Sequence, residues 1–332
     1  MKRFMVYTLA LLFSMTFLAG CAGREAPQQD NTEKVTIIST IFPQYDWIRH
    51  IVGEENRDRF DLTLLISSGV DLHNYNPSVQ DIARIKTSDV IVYVGGHSDD
   101  WLKDVLRDAD PDIITLNLMD VLGEALGDEH MLEGFCDDDS CDDDHDHTDN
   151  HDETHADEHV WLSLRRAKII CAAIADMLSD LDADNAQEYR DNANAYIASL
   201  SALEADYQAA VDAAKIRSLV FADRFPFRYM MADYGLDHYS AFSGCSSETE
   251  ASFVTVISLA NRLNQIGTNV VLVTESSDQS IARTVINSSD AKNQNILVLD
   301  AVQSVTSADI QNGVTYLSIM EKNLDVLKQA LS

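Results

Sequence analysis

Residues 185–215 read NAQEYRDNANAYIASLSALEADYQAAVDAAK and contain neither Gly nor Pro. Tyr189, Ala193, Tyr196, Leu200, Leu203 and Tyr207 step through them by four and three residues in turn, the spacing that lines one face of an α-helix with buried side chains. A coiled-coil seam is the competing reading, and the stripe falls short of the about four heptads that it needs. Residues 162–181 keep the same helical composition, so the sequence predicts one stiff linking helix over 164–215. On both sides of it, short β-branched runs alternate with amphipathic stretches. Upstream the strands are expected at 35–41, 61–66, 89–94 and 112–117, with helices at 77–86 and 99–107. Downstream they are expected at 218–222, 238–242, 269–274 and 295–300, with helices at 227–234, 252–266 and 279–288. Strand and helix in alternation build parallel sheets. The predicted fold is therefore α/β, with two similar lobes, each a mainly parallel sheet flanked by helices, joined by one long rigid backbone helix. A ligand belongs in the crevice between such lobes.

Composition sets the outer limits. Of 332 residues 45% are hydrophobic and 8% aromatic, enough to build real cores and to exclude a disordered chain. Against 24 Lys and Arg stand 55 Asp and Glu, a net charge of -31 that argues against nucleic acid as partner and against electrostatic adhesion to anionic membranes. Five scattered cysteines make no disulfide scaffold. Lys2 and Arg3, the apolar run 4–17 and the exit Leu18-Ala19-Gly20-Cys21 have the layout of an export signal. The tetrad looks like a bacterial lipobox with Cys21 as the lipidated residue; an ordinary signal peptide is the alternative. The expected organisation is a signal peptide over 1–20, a lipidated Cys and flexible tether over 21–34, an N-terminal lobe over 35–163, the linking helix over 164–215 and a C-terminal lobe over 216–332.

The N-terminal lobe carries an acidic loop, 128–158. Between Asp137 and Glu158 there are 12 acidic residues and no Lys or Arg, so no core can form from it. His145, His147, His151 and His155 lie among these acids, with Cys136 and Cys141 close by as a small disulfide or as soft ligands. Such a loop either collects divalent cations at weak, multiple sites or is merely a solvated charge run. A more specific site is expected at strand ends. Gly69-Val70-Asp71-Leu72-His73-Asn74-Tyr75-Asn76-Pro77-Ser78 follows a strand and opens a helix, and Asp157-Glu158-His159-Val160-Trp161-Leu162-Ser163 ends the acidic loop and begins the next helix. His97 also stands at a strand end, with a surface role as its alternative. Cys171 lies in an apolar helical stretch and reads as packing, while Cys245 lies on a loop with no evident partner.

These two runs, with Ala232-Asp233-Tyr234-Gly235-Leu236 and Leu299-Asp300, resemble the zinc and manganese solute-binding lipoproteins of ABC importers, the cluster 9 group. The resemblance extends from about residue 34 to the C-terminus. It implies a metal in the interlobe cleft, with two His from the N-lobe, at His73 and His159, and an Asp from the C-lobe at Asp300. It also implies an extracytoplasmic, lipid-anchored, monomeric protein that delivers Zn2+, or alternatively Mn2+, to an ABC permease and its ATPase. The family's remaining His or Glu falls on Arg224, where the sequence departs from the pattern, because a guanidinium is always protonated and binds no metal. Either Asp223 takes over as ligand, or water fills the position, or a loop residue closes it; Asp223 reads equally well as a cap at a strand exit. Arg224 is then expected to pair with Glu250 or Glu275 and tie C-lobe loops together. A metal-buffering or adhesion lipoprotein is the alternative function. A zinc hydrolase is a weaker one, since no His-Glu-x-x-His motif is present and no catalysis is required.

Overall fold

The computed structural model of the chain describes residues 34–126, 157–243 and 250–332. Cys21, Cys136, Cys141, His145, His147, His151, His155 and Cys245 lie outside the described residues, as do the expected signal peptide and most of the acidic loop.

In the N-terminal lobe β1 (Val35–Ser39), β2 (Phe60–Leu64), β3 (Val90–Tyr93) and β4 (Ile114–Asn117) form a wholly parallel sheet in the order β2-β1-β3-β4. The C-terminal lobe repeats that order, β6-β5-β7-β8, with β5 (Ser218–Phe225), β6 (Asp237–Ser243), β7 (Val270–Val273) and β8 (Asn295–Val298), again all parallel. In each lobe the chain reverses its direction of travel across the sheet between the first and third strands. That switch point, at the strands' C-terminal ends, is where crevice ligands sit in open α/β sheets.

Helices cover both sheets. In the N-terminal lobe they are α1 (Phe42–Val52), α2 (Val79–Lys86), α3 (Asp100–Arg107) and α4 (Leu118–Leu122). The first was not foreseen from sequence, although Pro43 at its start is a helix-opening signal. Its entry is closed by Gln44, whose Oε1 accepts the N–H groups of Thr40 and Ile41 at 3.0 and 3.2 Å. Trp47, Ile48 and Ile51 of the same helix are wholly buried.

The linking segment departs from expectation. Instead of one helix over 164–215 it forms two, α5 (Leu164–Leu181) and α6 (Ala186–Asp212), which pack antiparallel. Glu204 of α6 accepts hydrogen bonds from Arg165 and Lys168 near the start of α5, at 2.9 and 2.5 Å. The reversal falls at Asp182, whose carboxylate accepts from Arg59 at 2.6 and 2.9 Å, from Tyr189 at 2.7 Å and from Asn185 at 2.9 Å. The long connection is therefore α6 alone, 27 residues or about 40 Å. Its stripe of Tyr189, Ala193, Tyr196, Leu200, Leu203 and Tyr207 is buried throughout and is extended by Val211.

The C-terminal lobe adds α7 (Arg228–Tyr234), α8 (Phe253–Ile266), α9 (Ser280–Ser288), α10 (Ser307–Gln311) and α11 (Tyr316–Ala330). The last crosses back to the other lobe: the Tyr316 N–H donates to Asp46 of α1 at 2.8 Å, and Tyr207 Oη donates to the Met320 carbonyl at 2.7 Å. One apolar core consequently runs from Ile37 in β1 through α5 and α6 to Leu331. A second, smaller one fills the space between the C-terminal sheet and α8 and α9, around Val220, Leu259, Val271 and Val285.

Candidate metal centre

His73 sits on a single helical turn, Leu72–Asn74, after β2. Asp71 caps that turn, its Oδ1 accepting the His73 N–H at 3.0 Å. His159 precedes a similar turn, Val160–Leu162, and Asp157 Oδ1 accepts its N–H at 2.8 Å. Although the two residues are 86 positions apart, their Nε2 atoms stand 2.9 Å from each other. His159 is wholly buried and the His73 side chain is 10% exposed.

The opposite nitrogen of each ring faces oxygen acceptors. His73 Nδ1 lies 2.6 Å from Ser98 Oγ and 3.1 Å from Glu158 Oε1, and Ser98 Oγ donates to the same carboxylate oxygen at 2.6 Å. His159 Nδ1 lies 2.8 Å from Asp157 Oδ1. A carboxylate can only accept, so these bonds hold the proton of each neutral ring on Nδ1 and leave the Nε2 lone pairs aimed at one point. Lone pairs that face each other at this range are stabilised by a cation between them. One zinc ion, at about 2.0–2.1 Å from each imidazole, needs the two nitrogens roughly 3.3 Å apart, so the pair stands within about half an ångström of that separation.

The charges agree with this arrangement. Burial lowers the His73 imidazole, but the Glu158 hydrogen bond and the charges of Asp71 and Glu158 outweigh it and raise the group overall. Burial pushes Glu158 up, yet bonds from His73 and Ser98 bring it down to about 2. Asp157 is likewise lowered by its bonds to His159 against the opposing effect of burial.

Tertiary contacts hold the His159 segment rigidly. Tyr229 Oη of α7 donates to the Asp157 carbonyl at 2.7 Å, Trp161 Nε1 to the Ala301 carbonyl at 2.9 Å, and Tyr316 Oη to the Trp161 carbonyl at 2.6 Å. On the other side, Gly96 lets Glu158 approach: a Cβ on Gly96 would lie 2.2 Å from Glu158 Oε2.

The C-lobe residues behave differently. Asp300 follows β8, and its Oδ1 accepts the Val302 N–H at 2.7 Å. Burial and the charge of Glu275 push it up to about 7. Glu275 accepts from the Ala301 and Gln303 N–H groups at 2.8 and 3.3 Å, so the two carboxylates together clasp the turn 300–303. Val302 within it has φ of 60°, a strained value for a β-branched residue. Asp223 bonds to Thr274, accepting from its N–H at 3.0 Å and its hydroxyl at 2.8 Å, while its other oxygen accepts the Arg224 N–H. Among the described residues no three His, Cys, Asp or Glu side chains stand ready to hold a metal ion. The structure thus brings His73 and His159 together and does not gather Asp300 or Asp223 with them.

Arg224 corrects an expectation. It pairs with neither Glu250, which is exposed, nor Glu275, which is committed to backbone N–H groups, but with Asp71 of the other lobe, Nη2 to Oδ2 at 3.3 Å. His97 is exposed and bonds Asp100 at 2.8 Å. Cys171 is wholly buried as a free thiol, in keeping with a packing role. Sequence reasoning missed Ser98, Asp157 and Glu158 as partners of the rings and Asp71 as the cap of the His73 turn. The acids flanking both histidines were the available signal, since metal-binding imidazoles regularly donate their second N–H to a carboxylate.

A family model described as ZnuA, zinc-uptake complex component A, periplasmic, matches residues 37–330. The zinc-binding lipoprotein AdcA of Streptococcus pneumoniae is 31% identical over 313 residues, covering 94% of this chain and 58% of its own length. The chain spans little more than half the length of such streptococcal relatives. The high-affinity zinc uptake system protein ZnuA of Bacillus subtilis is 26% identical over 328 residues, 98% of this chain and 97% of its own. The crystal structure of the Zn(II)-bound ZnuA-like domain of Streptococcus pneumoniae AdcA matches at a TM-score of 0.68 and 28% identity, over 90% of this chain and 99% of that one.

Proposed function

The chain belongs to the ZnuA family of periplasmic zinc-uptake components, and from that premise we propose that it captures a zinc ion between its lobes and delivers it to an ABC importer. The observation that carries the reading is the His73–His159 pair, with facing Nε2 atoms 2.9 Å apart and both Nδ1 atoms on buried oxygen acceptors. Imidazole with carboxylate support suits zinc. The family resemblance supports Asp300 of the C-terminal lobe as a further donor, one that a cation would draw into its ionised form. The partners are a membrane permease with its ATPase, and Cys21 carries the lipid that holds a monomer at the extracytoplasmic face. The acidic loop 128–158, with His145, His147, His151 and His155, collects cations weakly and leaves the tight site to the cleft. The work is binding and release, with no bond made or broken.

Zinc titration against a competing chelator tests this. His73→Ala and His159→Ala should each weaken binding by more than the about 10–100-fold typical of outer-shell partners, while removal of 128–156 leaves one tight site intact. Parental affinity in both alanine variants, or loss of tight binding with the loop, would overturn the reading.

A further inference from the structure

Among the described residues, the Arg224–Asp71 pair is a feature of the cleft that the zinc-binding reading leaves without a task. The guanidinium stands where the family resemblance puts a metal ligand, and it reaches across the cleft to Asp71 at 3.3 Å. Both side chains are largely enclosed, 20% and 12% exposed. Asp71 is also the residue that caps the His73 turn, and its Oδ1 lies 3.9 Å from His73 Nε2, the nitrogen that faces His159. That carboxylate oxygen stands from the His73 nitrogen about 0.6 Å beyond the spacing of neighbouring ligands on one zinc ion. The other nearby acids are differently occupied: Asp223 bonds to Thr274, and Glu275 clasps the backbone of 301–303.

We propose that Asp71 is a donor to the cargo metal, and that Arg224 is the cation it exchanges for that metal. At equal distance a divalent ion attracts a carboxylate twice as strongly as a guanidinium does. Zinc arriving between the two imidazoles therefore draws Asp71 by a small side-chain rotation and releases Arg224, which it also repels. Two consequences follow from this exchange. Arg224 limits the affinity of the site, because zinc must displace it, and its return to Asp71 assists release. The tie between the lobes through this pair exists only before the metal binds.

The inference rests on the cleft reading above, and the experiment separates the two. Zn2+ affinity of the full chain is measured by chelator competition for Arg224→Gln, Arg224→Lys, Asp71→Asn, the Arg224→Gln/Asp71→Asn double variant and His73→Ala. Arg224→Gln is expected to bind zinc about tenfold or more tighter, about 1.4 kcal/mol per tenfold. Arg224→Lys, which keeps the charge, stays near the parent. Asp71→Asn, whose amide oxygen still accepts the His73 N–H, should lose at least about tenfold, and the double variant should show no tightening. Melting gives a second readout: Arg224→Gln should lower the midpoint of the zinc-free protein and leave that of the zinc-loaded protein unchanged, whereas a merely structural arginine would lower both. Unchanged or weaker zinc binding in Arg224→Gln, or unchanged binding in Asp71→Asn, overturns the exchange. If His73→Ala also binds as the parent does, the cleft reading itself fails; if His73→Ala loses tight binding, only the role of Asp71 and Arg224 falls.

Discussion

Asp157 and Glu158 are consecutive, yet they serve different rings: Asp157 faces the ring of His159, and Glu158 with Ser98 faces that of His73. Successive side chains here point in opposite directions, so a single turn supplies the carboxylate for each histidine. Glu158 reaches its place only because residue 96 has no Cβ. Gly96→Ala should push Glu158 aside, and both Gly96→Ala and Glu158→Gln should weaken zinc binding by about 10–100-fold in a competition titration. A pH series checks the electrostatics. His73 is raised above its ordinary value, so it keeps its proton to higher pH than a free imidazole, and zinc must displace that proton. Affinity is therefore expected to fall as pH drops from 7.5 towards 5.5, by about tenfold per pH unit for each proton displaced. In Glu158→Gln the fall should begin at lower pH, because the group that raises His73 is gone.

The eight strands lie within a few residues of where β-branched runs predicted them, most plainly β3 and β7, which are buried throughout and correspondingly apolar along their length. The helix break at Asp182 was not legible in the same way. Composition favours helix on both sides of Asp182-Ala183-Asp184-Asn185, and the carboxylate's partners include Arg59, which is remote in sequence. Asp and Asn bond the backbone in non-helical turns, and a distant partner here turns that weak local tendency into a reversal. The unforeseen α1 was masked by a similar effect: Phe42, Trp47, Ile48 and Ile51 bury nearly all round, without a clear polar face. In α6 the stripe carries the load. Leu200→Ala, at a wholly buried position, should cost about 2–5 kcal/mol in denaturant unfolding. Asp182→Ala removes a half-exposed ion pair with Arg59 together with two buried-side hydrogen bonds, and should cost less, about 1–2 kcal/mol.

Both lobes share one core, and the hydrogen bonds of Trp161, Tyr229 and Tyr316 cross between them beside the His73–His159 pair. A cation captured here binds an already ordered scaffold, so its binding energy should appear as added stability. Zinc at a free concentration a hundred times its Kd should stabilise the fold by about 2.7 kcal/mol, which for a folded chain of about 300 residues raises the melting midpoint by about 4 °C, at roughly 1.6 °C per kcal/mol. Scanning calorimetry should show that rise in the parent, its reversal by chelator, and its absence in the His73→Ala/His159→Ala double variant. An equal rise in the double variant would place the stabilising zinc elsewhere.

Periodicity and local composition by themselves determined the strands, most of the helices, the α/β class and the two histidine segments, because each of these is written in side chains near one another along the chain. What stands across the cleft was decided only on folding. The approach of His73 to His159, the commitment of Asp223 to Thr274 and the choice of Asp71 by Arg224 over Glu250 and Glu275 all join residues from separate elements. Such pairings depend on which carboxylates the backbone N–H groups have already claimed and which charge the opposite lobe presents, and neither is encoded in a local pattern.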